Sequence, residues 1–124
     1  MEGLTFDTGA LIALERRQPR MSKVVARAWE ARVRITVPTA VVAEWWRSPN
    51  AVATRLLAAV DIEPLDEALA LRVGEALGAV AGASVVDTIV MASAARRGDI
   101  VYTSDIGDLQ KLQVRFPSVR LLRV

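Results

Sequence analysis

The chain has 124 residues, 52% hydrophobic and 24% charged, with a formal net charge of +2 and neither cysteine nor histidine. That length suffices for one buried core, read here as a single domain over 1–124. The two absences exclude disulfides, thiol or imidazole catalysis, the Ser–His–Asp arrangement and zinc held by Cys or His.

In chain order, Leu4–Phe6 reads as a short strand and 8–17 as a helix with Ala10, Leu11, Ala13 and Leu14 apolar, broken by Pro19. A second helix over about 20–31 carries Val24, Val25, Ala28 and Trp29 at helical spacing, which predicts that they are buried. Arg20, Lys23 and Arg27 share its other face. Residues 33–37 predict a strand, and Pro38 suits the first position of a third helix, which Pro49 ends. Asn50 is placed to cap a fourth helix reaching about residue 60, followed by a brief strand over Asp61–Glu63. Asp66 and Glu67 favour the start of a long helix with Leu69, Val73, Leu77 and Val80 on one stripe. Gly74 and Gly78 are expected to let that helix pack closely against a neighbour, and Gly82 to end it. Ser84 starts a helix running to Arg97, with Gly98 as its stop. A strand at Ile100–Thr103, a helix over about 106–114 and a strand over 119–122 complete the chain. Strands alternating with helices predict a parallel sheet covered on both faces, with ligands bound beyond the carboxyl ends of its strands.

No apolar run approaches the ~20 residues of a membrane helix. Met1 and Glu2 lead almost at once into a strand, which leaves no room for a signal peptide, so a cytoplasmic protein without a membrane partner is expected. Between residues 16 and 34 the charge is uneven: seven basic residues (Arg16, Arg17, Arg20, Lys23, Arg27, Arg32 and Arg34) face Glu30 alone, a local excess of six. Arginine suits bidentate phosphate contact, whereas a solvated helix face explains the run equally.

Four acids stand in apolar settings: Asp7 in "LTFDTGAL", Glu44 in "VVAEWW", Asp87 in "SVVDTIVMA" and Asp105 in "YTSDIGDL". The other ten read mostly as surface charge. Asp7 and Asp105 lie where N-cap aspartates are preferred, and Asp87 lies in a first helical turn where the dipole favours it. Glu44 is different, because a carboxylate amid Val41, Val42, Trp45 and Trp46 must be paired, with Arg47 a candidate partner, or be desolvated at a cost. Carboxylates gathered from four segments repel one another unless a cation joins them, and oxygen ligands select Mg²⁺ or Mn²⁺.

The ordered set "FDTGALIAL", "PTAVVAEWWR" and "VVDTIVMASAARRGDIVYTSDIGDL", followed by a last short strand, resembles the PIN domain, and most closely the VapC-type toxins of toxin–antitoxin systems. The resemblance spans essentially the whole chain. It implies a three-layer α/β/α fold with a small parallel sheet of about five strands. It further implies Asp7, Glu44, Asp87 and Asp105 as catalytic metal ligands, Asp108 as an auxiliary ligand, and Thr8 and Thr103 as polar supports. The implied activity is metal-dependent hydrolysis of RNA phosphodiesters, leaving 5′-phosphate and 3′-hydroxyl ends. The implied partners are an RNA substrate, a cognate antitoxin and a second copy of the chain. Arg20, Lys23 and Arg27 would hold the RNA backbone. The tandem Trp45 and Trp46 depart from the family pattern, as core or as a stacking or partner surface.

The alternative is a catalytically inactive PIN-like module that binds RNA or protein. A phosphatase of the Asp-x-Asp type is excluded because Thr8 and Gly9 follow Asp7. A receiver domain is excluded because no acidic pair ends the first strand and no lysine follows the last.

Overall fold

The structure, a computed structural model, describes residues 2–124. Five strands, β1 (Leu4–Phe6), β2 (Ile35–Pro38), β3 (Asp61–Glu63), β4 (Ile100–Thr103) and β5 (Arg120–Arg123), form one parallel sheet in the order β3-β2-β1-β4-β5. Between them lie α1 (Thr8–Glu15), α2 (Pro19–Glu30), α3 (Thr39–Trp45), α4 (Ala51–Ala58), α5 (Glu67–Ala79), α6 (Val85–Arg97) and α7 (Ile106–Leu112). The layers are α/β/α. On one side α1, with α2, α3 and α4 against it, lies on β1 and β4; on the other, α6 packs on the sheet between α5 and α7. Strand order runs one way from β1 to β3 and the other from β1 to β5, so the switch point lies between the ends of β1 and β4.

Local chemistry sets most helix starts. Asp7, Asn50, Asp66 and Ser84 each accept a backbone N–H from three residues on, at 2.8–3.0 Å. Gln18 does the same for Met21 at 3.3 Å, with Pro19 at the first helical position of α2. Pro19 therefore opens the second helix as well as closing the first. Pro38 ends β2 and precedes α3, one position earlier than its expected helical place. The third helix stops at Trp45, ahead of Pro49.

Two packing expectations are corrected. In α2 the buried stripe is Met21, Val25 and Ala28, while Trp29 is 55% exposed. Met21 lies four residues before Val25 and holds the phase that Trp29 would shift. In α5 the buried residues are Leu69, Val73 and Ala76, and a Cβ at Gly74 or Gly78 would meet nothing within 4 Å. These glycines face solvent and allow no close helix contact.

Beneath α6 lies a polar network. Arg97 donates to Glu63, to Asp99 Oδ2 at 2.9 Å, to Thr5 Oγ1 at 2.9 Å and to Ser93 Oγ at 3.0 Å. Thr5 in turn donates to Asp99 Oδ2 at 2.9 Å, and Ser93 to Glu63 Oε1 at 2.6 Å. Asp99 is buried and the Glu63 side chain nearly so, two exceptions among the ten acids read mostly as surface charge. Burial opposes ionisation of Glu63. Hydrogen bonds from Ser93 and Arg97, and the charges of Arg97 and Arg96, outweigh it and hold the carboxyl below its ordinary 4.5. No described helix is long and apolar enough to cross a membrane.

Candidate metal centre

The carboxyl ends of β1 and β4 deliver the first two acids. Asp7 follows Phe6 directly; it is buried, and its Oδ1 accepts the Ala10 N–H at 3.0 Å as the cap of α1. Burial pushes its carboxyl above the ordinary 3.8, hydrogen bonds from Thr103 and the backbone N–H groups of Ala10 and Gly9 pull the other way, and the charge of Asp87 adds to the rise. Asp105 follows β4 after Ser104. Its side chain makes no cap bond, so the expectation that it caps its helix is corrected for this residue. Its backbone N–H instead donates to Thr103 Oγ1 at 2.8 Å, and Thr103 is fully buried. Thr103 thus holds the backbone at Asp105 and lowers the Asp7 carboxyl from the other side.

Asp87 sits half-buried in the first turn of α6, above the Ser84 cap. Burial raises its carboxyl, Ser84 lowers it, and the charges of Asp108 and Glu44 raise it further. Asp105 is raised chiefly by the adjacent Asp108 carboxyl. Oxygens of Asp87, Asp105 and Asp108 lie within 4.8 Å of one another. Asp108, read from sequence as auxiliary, belongs to the tightest group, one turn along α7 from Asp105. Its other neighbour is Lys111 Nζ at 3.5 Å.

Glu44 projects from α3 and accepts a hydrogen bond from Thr8 Oγ1, which ties α3 to the start of α1. The desolvation argument for Glu44 is overturned, since the residue is exposed and Arg47 donates to its backbone oxygen (3.0 Å). The bulk beside it is core: Trp45 is buried, with Nε1 donating to Glu15 at 3.0 Å, and Trp46 is half-buried edge-on to it at 5.7 Å. Neither ring offers a fully exposed stacking face.

Asp7, Glu44, Asp87 and Asp105 line one cleft of about 260 Å³ with Thr8 and Ser84. Gly9 and Ser104 complete its wall; a Cβ on Gly9 would lie 2.0 Å from Ser104 Oγ and 2.6 Å from Ser104 Cβ. Sequence reading missed this pair. The only signal is glycine directly after Asp-Thr at a helix start, where propensity alone would choose another residue. Arg20, Lys23 and Arg27 are exposed on α2 and none of them lines the cleft.

The donor set fits a hard divalent cation. It is all oxygen, and its members raise one another's pKa, a strain that a cation between them relieves.

A family model described as the PIN domain matches residues 4–113. No curated protein sequence matches the chain. Among solved structures, a DNA-bound VapBC from Salmonella typhimurium superposes with a TM-score of 0.73 at 15% identity, covering 99% of this chain and 98% of that one. A VapBC2 from Rickettsia felis bound to a promoter DNA fragment gives 0.73 at 13%, covering 97% of each chain. FitAcB from Neisseria gonorrhoeae gives 0.60 at 19%, covering 96% of each.

Proposed function

The chain belongs to the PIN domain family, and from that premise we propose that it is a Mg²⁺- or Mn²⁺-dependent endoribonuclease acting as the toxin of a toxin–antitoxin pair. The observation that carries the proposal is the convergence of Asp7, Glu44, Asp87, Asp105 and Asp108 at the switch point, in a chain with neither histidine nor cysteine. Similarity to VapBC and FitAcB structures supports the toxin assignment and a cognate antitoxin, and pairing with a second copy is part of the same proposal.

In this reading Asp87, Asp105 and Asp108 would hold the ion together with Asp7 and Glu44 from the same cleft. When bound, the ion supplies Lewis acidity, polarising the phosphate and making water a competent nucleophile at neutral pH. The residues supply position. Thr103 fixes Asp7 and Asp105 relative to one another, Thr8 fixes Glu44, and the Ala10 N–H keeps Asp7 from rotating away. The exposed α2 face bearing Arg20, Lys23 and Arg27 attracts the RNA backbone.

Three results are expected. Purified protein incubated with total RNA generates new 5′ ends only with Mg²⁺ or Mn²⁺; cleavage that survives exhaustive EDTA removes the mechanism and leaves a different enzyme. Absence of cleavage with either ion favours the inactive binding module. Neutralising Arg20, Lys23 and Arg27 together weakens RNA affinity and flattens its salt dependence by roughly two units of slope, at about 0.7 per contact; unchanged affinity and slope in a folded variant make them a solvated face. Gly9→Ala pushes Ser104, and with it Asp105, away from the ion. It therefore abolishes the metal-induced rise in melting temperature, and adding Ser104→Gly restores part of that rise. A Gly9→Ala protein that binds metal like the wild type shows that the wall has slack.

A further inference from the structure

Beside the carboxylate cleft lies a second hollow of about 520 Å³, within the roughly 300–1,000 Å³ of small-ligand sites. Gly9 and Ser104 belong to the walls of both, so the two are contiguous. Ile12, Ala13 and Pro19 give it an apolar lining, and the exposed Arg16 and Arg17 stand at its rim.

The rim guanidiniums are open to an anion, as are most basic groups of the chain. Neither guanidinium has an ion-pair partner among the described residues. The adjacent acid, Glu15, is spent elsewhere: its two oxygens accept Trp45 Nε1 at 3.0 Å and Asn50 Nδ2 at 3.1 Å. Arg17 also holds a left-handed backbone, φ 57°, in the turn that closes α1, where Gln18 N donates to Ala13 O at 2.9 Å and Arg17 N to Leu14 O at 3.0 Å. Glycine is the usual residue at that position, as Gly98 (φ 76°) is at the end of α6, because a Cβ is disfavoured there. Arg32 closes α2 with the same left-handed backbone (φ 56°), so the conformation belongs to the helix-ending turn, which sets where Arg17 projects, and not to the hollow.

We propose that this hollow is a nucleobase subsite, taking the base of a nucleotide that flanks the phosphate engaged at the carboxylate cleft. The ring lies against Ile12, Ala13 and Pro19, and Arg16 and Arg17 meet the neighbouring phosphates. Gln18 spends Oε1 on the Met21 N–H, leaving its NH₂ group to meet a base edge. A purely apolar protein segment would fill the hollow and leave both guanidiniums unpaired, whereas a nucleotide chain brings a ring for the hollow and phosphates for the rim in one ligand, directly beside the carboxylate cleft. The subsite rests on the nuclease reading above.

The test uses the full nitrogen-15-labelled chain, without metal, titrated separately with AMP, GMP, CMP and UMP. Amide shifts should concentrate at Gly9, Ile12, Ala13 and Ser104, with affinities that differ between bases by about tenfold. Ala13→Phe, which fills the hollow, should remove them. Arg17→Gly should weaken all four nucleotides alike while melting no lower than wild type, because glycine suits the left-handed position. Three results overturn the subsite: no shift up to about 10 mM, enough to reveal millimolar binding; equal affinity for all four bases; or undiminished binding in both variants. Cleavage of total RNA with Mn²⁺, run beside the titration, separates the two ideas. Cleavage without local nucleotide binding defeats the subsite alone and leaves the hollow to a protein segment. Base-ranked binding without cleavage defeats the nuclease and keeps the subsite.

Discussion

Asp105→Asn and Asp7→Asn are each expected to reduce RNA cleavage by more than about 100-fold, since loss of outer-shell partners alone costs 10–100-fold. The fold should survive both changes. Asparagine caps a helix about as well as aspartate, so α1 keeps the bond from Ala10, and Asp105 makes no cap bond to lose. The stability signature separates ligand from cap. Burial, with Asp87 as a further contribution, raises the Asp7 pKa above 3.8, so the metal-free fold binds a proton more tightly than the unfolded chain does. Stability from that group is full below about pH 3.8 and is lost as pH rises through the raised value. Asp7→Asn should therefore match the wild type in acid and exceed it in melting temperature at neutral pH without metal. Mg²⁺ or Mn²⁺ should then raise the wild-type melting temperature far more than that of either variant. Equal metal-induced shifts in all three proteins, with cleavage retained, would sink the site.

Arg97→Met should be the most damaging change away from the cleft. It strands Glu63 and Asp99 without their shared cation and also takes a donor from Thr5 and Ser93. Breaking such a buried pair from one side costs about 3–5 kcal/mol, a fall in melting temperature of about 10–20 °C for a domain of this size. Arg96→Met is the control. Arg96 also meets Glu63, at 3.3 Å, but its second partner Asp66 is half exposed, so the loss should be smaller. Combining Arg97→Met with Glu63→Gln and Asp99→Asn should recover much of the loss, because the stranded charges are gone. Acid should weaken the wild type at the same place: a carboxyl held below 4.5 contributes stability above that pH and loses it as pH falls through the lowered value. Thermal unfolding of the four proteins between pH 3 and 7 checks both forecasts. A loss in Arg97→Met no larger than in Arg96→Met would mean the network carries little.

Helix starts are legible because capping is a local affair. Asn50, Asp66 and Ser84 each precede their helices with a short acceptor side chain, and each makes the expected bond. The parallel sheet is legible for a similar reason, since its strands are short apolar runs between helical periods. What escapes is whatever depends on a partner far along the chain. Trp29 continues the apolar spacing of Val25 and Ala28, yet the direction of the core is set by Met21. Glu44 looks trapped among apolar neighbours in sequence, but a seven-residue helix at the rim turns it outward to Thr8. Glu63, Ser93 and Asp99 become one network only when β3 and α6 meet. Asp108 joins Asp87 because α7 brings it back over α6, a contact that no local pattern announces.

The position of β1 at the centre of the sheet bears on how the protein is made. On the ribosome the first strand can pair with β2 early, but its other neighbour is β4, whose residues emerge roughly a hundred positions later. Until then one edge of β1 stays open, and of the cleft acids first Asp7 and Glu44, then Asp87, exist without Asp105 and Asp108. At about 5–20 residues per second, translation of that interval takes several seconds or more. Throughout it the nascent chain lacks the three-carboxylate group, which can assemble only once Asp105 and Asp108 have followed β4 out.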